Sequence, residues 1–205
     1  MNVSLVHITP DAEKLISYCA RVSSPNQDNP SIEPLLRYCI RNRHWSVFEM
    51  AGLCLEVHTS RAISQQLLRH KSFSFQEFSQ RYAKSQEFET YEARRQDDKN
   101  RQNSIDDMSE EDRKWFLDAQ KEVQQLALSK YNEALERKIA KEQSRFLLPL
   151  STQTKLYMHG NIRSFINYLQ VRTGPETQLE HRKIANDIKK IFCKELPIIS
   201  KALDW

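Results

Sequence analysis

Residues 69–82, RHKSFSFQEFSQRY, set Arg69, His70, Lys71 and Arg81 among Phe73, Phe75, Phe78 and Tyr82, with Glu77, Ser79 and Gln80 between them. A guanidinium, a hydroxyl and backbone N–H groups together grip a phosphate, and an aromatic ring beside them packs on a flat heterocycle. Three readings compete: a half-buried strand with a solvated face, a platform for single-stranded nucleic acid, and a pocket for a phosphorylated, ring-containing small molecule. Period-two alternation puts Phe73, Phe75, Glu77, Ser79 and Arg81 on one face of an extended segment, which lines up carboxylate, hydroxyl and guanidinium. Gln66 and Arg69, three apart on a preceding helix, share one side of it.

A second group lies in SRFLLPLSTQTKLYMHGNIRSFINYLQVR, residues 144–172. Asn161, Arg163, Asn167 and Arg172 decorate an otherwise apolar helix, with Arg163 and Asn167 an i,i+4 pair. Each has an ordinary reading on its own. Asn161 is a helix cap, Arg172 serves the negative end of a helix dipole, and Arg145 is a surface arginine. His44 reads as a loop residue before a strand, and Glu49 as buried and paired.

Several chemistries are excluded. The chain has three glycines (Gly52, Gly160, Gly174), too few and too scattered for a GxGxxG turn or a Walker loop. Its four cysteines (Cys19, Cys39, Cys54, Cys193) show no CxxC spacing and read as reduced, mostly buried thiols. No zinc pattern, no Ser/His/Asp spacing and no Cys–His pair stands out. An enzyme with this sequence borrows its chemistry from a cofactor held by side chains and helix ends.

The elements that must position these groups follow from periodicity. VSLVHI reads as a strand, DAEKLISYCARVS as a helix capped by Asp11, and SIEPLLRYCIRNRH as a second helix. FEMAGLCLEVHTS reads as a long strand with a bulge at Gly52, and Ser60 as the cap of RAISQQLLRH. SFSFQEFSQRYA is extended. Residues 84–114 are charged and poor in aliphatics, a surface loop or lid. Ser109 and Asp112 form a capping box that opens a long helix. Pro149 precedes a strand, Asn161 caps IRSFINYLQVR, Pro175 sets the first turn of the last long helix, and Pro197 starts a short tail helix.

This order of elements predicts an α+β fold, a largely antiparallel sheet flanked by helices, in a single domain over residues 1–205. The 205 residues carry a net charge of +4, with 28% charged and 39% hydrophobic side chains. That balance suits anionic small molecules better than a nucleic-acid coat. No run is long enough for a membrane span, and MNVSLVHITPDAEK lacks a signal sequence's apolar core, so a cytoplasmic protein with no nucleic-acid or membrane partner is expected.

Taken together the stretches resemble the flavin-dependent thymidylate synthases. That family carries Arg-His-Arg, seven residues, Ser, then a nearby Arg-Tyr. Here Arg69-His70-Lys71, seven residues, Ser79, Gln80, Arg81 and Tyr82 stand in that order, with Gln66 ahead of them. Downstream, Arg145, Leu148-Pro149, a strand, then Asn161-x-Arg163-Ser164-x-x-Asn167 and Arg172 match, and upstream HWSVFE resembles His-x-Thr-Pro-Phe-Glu. The match runs from about residue 15 to 192, apart from the charged insert.

The resemblance implies reductive methylation of dUMP to dTMP, with methylenetetrahydrofolate as carbon donor and NADPH reducing a bound FAD. It implies FAD contacts from Ser46, Arg69, His70, Lys71, Asn161, Arg163 and Asn167. It implies dUMP contacts from Gln66, Arg69, Glu77, Ser79, Gln80, Arg81, Arg145 and Arg172. Arg172 takes the catalytic role of favouring the N3-ionised uracil, and no metal or enzyme nucleophile is needed. It also implies a homotetramer whose sites are shared between chains. The sequence departs from the family pattern at Lys71 for Arg, Val47 for Pro, Met50 for His and, against some members, Glu176 for His, and Lys71 leaves a catalytically inactive structural relative as an alternative reading.

Overall fold

A computed structural model describes residues 1–205. The order of elements is β1 (Asn2–Ile8), α1 (Ala12–Ala20), α2 (Ile32–Arg41), a 3-10 turn (Trp45–Glu49), β2 (Gly52–Ser60), α3 (Arg61–Leu67) and β3 (Ser74–Glu77). Then come a short hairpin of β4 (Arg95–Gln96) and β5 (Ser104–Ile105), the long α4 (Glu110–Glu136), α5 (Lys141–Ser144), a 3-10 turn (Arg145–Leu147), β6 (Gln153–Asn161), α6 (Ile162–Arg172), α7 (Leu179–Glu195) and α8 (Pro197–Ala202). The main sheet is antiparallel in the order β1-β2-β6-β3. This is the α+β arrangement the sequence predicts.

The sheet alternates cleanly. Leu53, Leu55 and Val57 of β2 and Leu156, Met158 and Gly160 of β6 are buried. Their neighbours Glu56, His58, Lys155 and Tyr157 remain partly exposed on the other face, where Glu56 pairs with His58 at 2.7 Å and with Lys155 at 3.6 Å. Helices cover the buried face, and the core joins the strands to Phe165, Ile166 and Leu169 of α6 and Ile184, Ile188 and Phe192 of α7.

The central pair β2–β6 is in register from Gly52 opposite Asn161 to Ser60 opposite Gln153. Each strand feeds a helix directly: β2 into α3, β6 into α6. Because the strands are antiparallel, the two helices leave from opposite ends. The strands span about 27 Å, α3 about 9 Å and α6 about 15 Å. The helices together nearly match the ladder, so their C-termini meet over its buried face.

Several local expectations are corrected. Asp11 takes a left-handed conformation (φ 48°) and makes no side-chain cap; its carboxylate accepts from Lys14 instead. Gly52 lies in the ladder, and the register shift falls in β1 between Leu5 and His7. The expected strand start at Phe48 is the 3-10 turn. Ser60 precedes α3 without capping it, because the first helical N–H groups of Arg61 and Ala62 already reach the carbonyls of Thr152 and Leu150 at 2.9 and 3.0 Å. Pro175 lies ahead of the last long helix, which starts at Leu179. Of the cysteines, all free, only Cys39 is buried; the others are half-buried.

The expected caps at Ser109 and Asn161 and the expected helix start at Pro197 are present. Ser109 accepts from the Asp112 N–H at 3.1 Å and Asn161 from the Ser164 N–H at 2.8 Å, and Pro197 opens α8. Within the charged segment 84–114, the first part is strapped to the body. Gln153 N–H donates to the Glu87 carbonyl at 2.9 Å, Glu89 N–H to the Ser151 carbonyl at 2.8 Å, and the Gln120 amide bonds both ways with the Tyr91 backbone.

Gly160 is where the sheet and the Phe73 ring come closest. A Cβ there would lie 2.5 Å from a Phe73 ring carbon, and Phe73 is itself wedged against Phe165 at 4.9 Å between ring centroids. Gly160→Ala is expected to destabilise the fold by about 1–3 kcal/mol through overpacking. A chemical-denaturation midpoint equal to the wild-type value would show that the ring yields freely.

Candidate active site at the meeting of two helix ends

Among the residues expected to do chemistry, two groups form at opposite ends of α3, roughly 9 Å apart along its axis. The first forms where α3 and α6 end. Arg172 Nε donates to His70 Nε2 at 3.0 Å. A guanidinium has no acceptor, so His70 Nε2 must be the unprotonated nitrogen and the ring is neutral. Burial, then Arg172 and Arg69, push the His70 pKa down, in agreement. No protein group takes up the remaining Arg172 N–H groups.

Behind this pair runs a chain of polar groups, buried at Tyr168, His181 and Glu180 and open to solvent at Gln178. The Tyr168 hydroxyl meets His181 Nε2 at 3.0 Å, and His181 Nδ1 meets Gln66 Oε1 at 3.2 Å. Gln66 Nε2 donates to Gln178 Oε1 at 2.6 Å, and Gln178 Nε2 to Glu180 Oε2 at 2.8 Å. The Glu180 carboxylate closes the chain on Arg94 at 2.7 Å, with both side chains nearly buried. His70 packs edge-on against Tyr168 at 4.9 Å between ring centroids. Burial pushes the Tyr168 hydroxyl's pKa up.

Tyr168, His181, Gln178 and Glu180 were not among the residues singled out from the sequence. One signal was available: His181 is in phase with Ile184, Ala185, Ile188 and Phe192 on the apolar stripe of α7, and a histidine on such a stripe is buried.

The second group surrounds the first residue of α3. Arg61 pairs with Glu77 at 2.9 Å and donates to the Phe78 carbonyl at 2.6 Å. Its buried Nε has no partner. Glu77 also accepts from the Thr154 hydroxyl at 3.0 Å. Beyond Glu77 the chain turns, with the Ser79 carbonyl accepting from Tyr82 and Ala83 N–H. Ser79 and Arg81 therefore do not continue the face of β3, which ends at Glu77. Arg81 instead meets Glu142 at 3.3 Å, Arg145 donates to the Glu142 carbonyl at 3.2 Å, and Gln80 is buried.

The remaining expected residues lie at the surface. Arg69 and Lys71 are exposed with no protein partner, Ser46 is exposed in the 3-10 turn, and Asn167 is exposed on α6. Arg163 pairs with Glu49 at 2.5 Å; Glu49 is paired as expected, but exposed rather than buried. Neither the concavity of about 820 Å³ nor that of about 470 Å³ takes in Arg69, Lys71, Ser46 or Asn167. Of the aromatics interleaved with the cations, Phe73 is buried in the core, so it offers no face for stacking a base.

The family model described as Thy1, thymidylate synthase complementing protein, matches residues 4–198. A flavin-dependent thymidylate synthase from Synechocystis is 56% identical over 193 residues, 94% of this chain and 90% of its own. A probable flavin-dependent thymidylate synthase of Paramecium bursaria Chlorella virus 1 is 54% identical over the whole of both chains. Among solved structures, a UMP/dUMP methylase, PolB, from Streptomyces cacaoi bound with 5-Br dUMP superposes with a TM-score of 0.89 at 26% identity, covering 99% of this chain and 94% of that one.

The buried histidine gives a pH signature. Burial, then Arg172 and His70, hold the His181 pKa down at about 4, against 6.5 for an ordinary histidine. Between those values the unfolded chain binds a proton that the folded chain refuses. Stability therefore rises with pH across this window and is lost as pH falls from about 6.5 toward 4. The expected contribution is on the order of 3 kcal/mol, and His181→Leu is expected to flatten that part of the profile. Urea titrations showing the same slope in wild type and variant would mean that His181 is not held neutral.

Proposed function

The chain belongs to the Thy1 family of flavin-dependent thymidylate synthases, and from that premise we propose that it reductively methylates dUMP to dTMP, with FAD as its flavin, methylenetetrahydrofolate as carbon donor and NADPH as reductant. The observation that carries this reading is the Arg172–His70 contact beside Gln66. It brings three elements of the family's motifs, more than 100 residues apart in part of the chain, to one place.

The donor set suits an FAD. Arg69 and Lys71 are exposed cations free to meet a diphosphate. Ser46, His70, Asn161, Arg163 and Asn167 supply further contacts around them. Lys71 keeps the charge but not the planar fork of an arginine. Bound there, the flavin supplies the hydride that the chain's own side chains cannot. Gln66, Arg69, Glu77, Ser79, Gln80, Arg81, Arg145 and Arg172 bind dUMP. Phosphate binding would draw Arg81 from its exposed pairing with Glu142, a small loss because such surface pairs are worth about 0–1 kcal/mol.

Arg172 is the catalytic residue. Its Nε is taken by His70, which fixes the guanidinium and leaves the other N–H groups for the uracil edge. A fixed cation beside the N3–H favours the ionised ring, which is the activated form. Ser79 binds and does not attack. Its Oγ accepts from the Arg81 N–H at 3.3 Å, and no imidazole or carboxylate lies in hydrogen-bond contact to take its proton.

The functional unit is a homotetramer with sites shared between chains. Two features support this. The cations for FAD lie open on one chain, and large apolar side chains are left in solvent: Leu126 of α4 is 61% exposed, Phe146 75% and Leu150 62%.

Tritium release from 5-labelled dUMP, dependent on added FAD, NADPH and methylenetetrahydrofolate, is the expected activity. Absence of release, with no spectral change on mixing the protein with FAD, would sink the reading. Arg172→Ala is expected to lower turnover by about a hundredfold at saturating dUMP. Ser79→Ala is expected to keep turnover and weaken dUMP binding. The opposite pattern would make Ser79 the reactive group.

A further inference from the structure

The polar chain behind Arg172 has a direction, and that direction follows from its far end. A carboxylate accepts hydrogen bonds and does not donate. Glu180, ionised against Arg94, therefore requires Gln178 to present its NH2 group, which leaves the Gln178 Oε1 to face Gln66. Gln66 must then present its own Nε2–H to Gln178 and its Oε1 to His181. An Oε1 accepts only, so His181 carries its proton on Nδ1, and its bare Nε2 accepts from the Tyr168 hydroxyl. Reversing any one amide sets oxygen against oxygen at one side of it and N–H against N–H at the other.

We propose that His181 is a positioning residue for nucleotide recognition: through its Nδ1–H it holds the Gln66 amide in one orientation, with the second Nε2–H free for an acceptor atom on the pyrimidine ring. This rests on the reading of Gln66 as a dUMP contact. His181 is fully buried, so it acts through Gln66. It is seated on α7, whereas Gln66 is on α3 and Tyr168 on α6, so a single ring ties together the three helices that meet at the site. The cavity of about 470 Å³ beside Gln178 and Glu180 lies on the Arg94 side of the chain, so solvent reaches the anchor rather than the histidine.

Two substitutions separate the two hydrogen bonds of the ring. His181→Asn carries an amide N–H near the Nδ1 position and keeps the bond to Gln66. His181→Gln carries an oxygen near the Nε2 position, keeps the bond to Tyr168 and loses the one to Gln66. Calorimetry with dUMP on the FAD-loaded protein is expected to give His181→Asn an affinity close to wild type. His181→Gln is expected to bind about tenfold more weakly, or about 1.4 kcal/mol. In turnover assays the loss is expected in KM for dUMP, with kcat nearly unchanged, because the residue acts on binding. Equal affinities for wild type and His181→Gln, or an Asn variant as weak as the Gln variant, would overturn the assignment. A wild type that binds FAD but not dUMP would instead overturn the role of Gln66, and this inference with it. Should either variant fail to fold, nitrogen NMR of the wild-type protein decides. A proton on His181 Nδ1 is expected, and a proton on Nε2 would overturn the proposal.

Discussion

The in-register β2–β6 pair governs where everything else lies. Each strand runs without a loop into a helix, and antiparallel pairing sends the helices inward from opposite ends of the ladder. Their lengths, about 9 and 15 Å against a ladder of about 27 Å, leave little gap between their C-termini. Arg172 and His70 meet because of that arithmetic. A one-residue slip of either strand would turn its own apolar set, Leu53, Leu55 and Val57 or Leu156 and Met158, out of the core. The apolar alternation that builds the core therefore also fixes the site.

The charged segment is tied to this centre through one buried contact. Arg94 supplies the countercharge for Glu180, and Glu180 sets the sense of every hydrogen bond back to Tyr168. Removing one partner of a buried pair leaves an uncompensated charge, which is far more costly than removing both. The strap of backbone hydrogen bonds from Glu87 and Glu89 to Gln153 and Ser151 keeps Arg94 in reach of α7. A segment that composition alone marks as solvated surface thus holds one residue on which the polar network at the site depends.

The elements were largely legible because their signals are local. Alternation in GLCLEVHTS and QTKLYMHGN, a Ser–Asp capping box and an Asn cap all act within a few residues. The failures have the same explanation in reverse. Alternation extrapolated past Glu77 puts Ser79 and Arg81 on a strand, but the chain turns there instead. Ser60 was expected to cap α3, but the Thr152 and Leu150 carbonyls, about 90 residues away, take the free N–H groups. Gln66 and His70 were visible through their motif, yet their partners His181 and Arg172 lie 115 and 102 residues distant. Spacing along the chain does not encode such pairings; the meeting of helices does.

Charge at the centre is settled by magnitude. Arg172, His70 and His181 all converge there, and an arginine does not give up its proton. A second unit charge 4 Å from it would cost about 4 kcal/mol at an effective dielectric constant of 20, equal to a shift of about three pH units. The negative ends of α3 and α6 favour a cation by only about 0.3–1 kcal/mol each. They cannot hold a second charge against that repulsion, and burial adds to it. Both histidines are therefore neutral, and each becomes an acceptor through Nε2, one for Arg172 and the other for Tyr168. Neutral histidines brace the guanidinium and Gln66 without competing with them, so Arg172 meets a ligand from a fixed position.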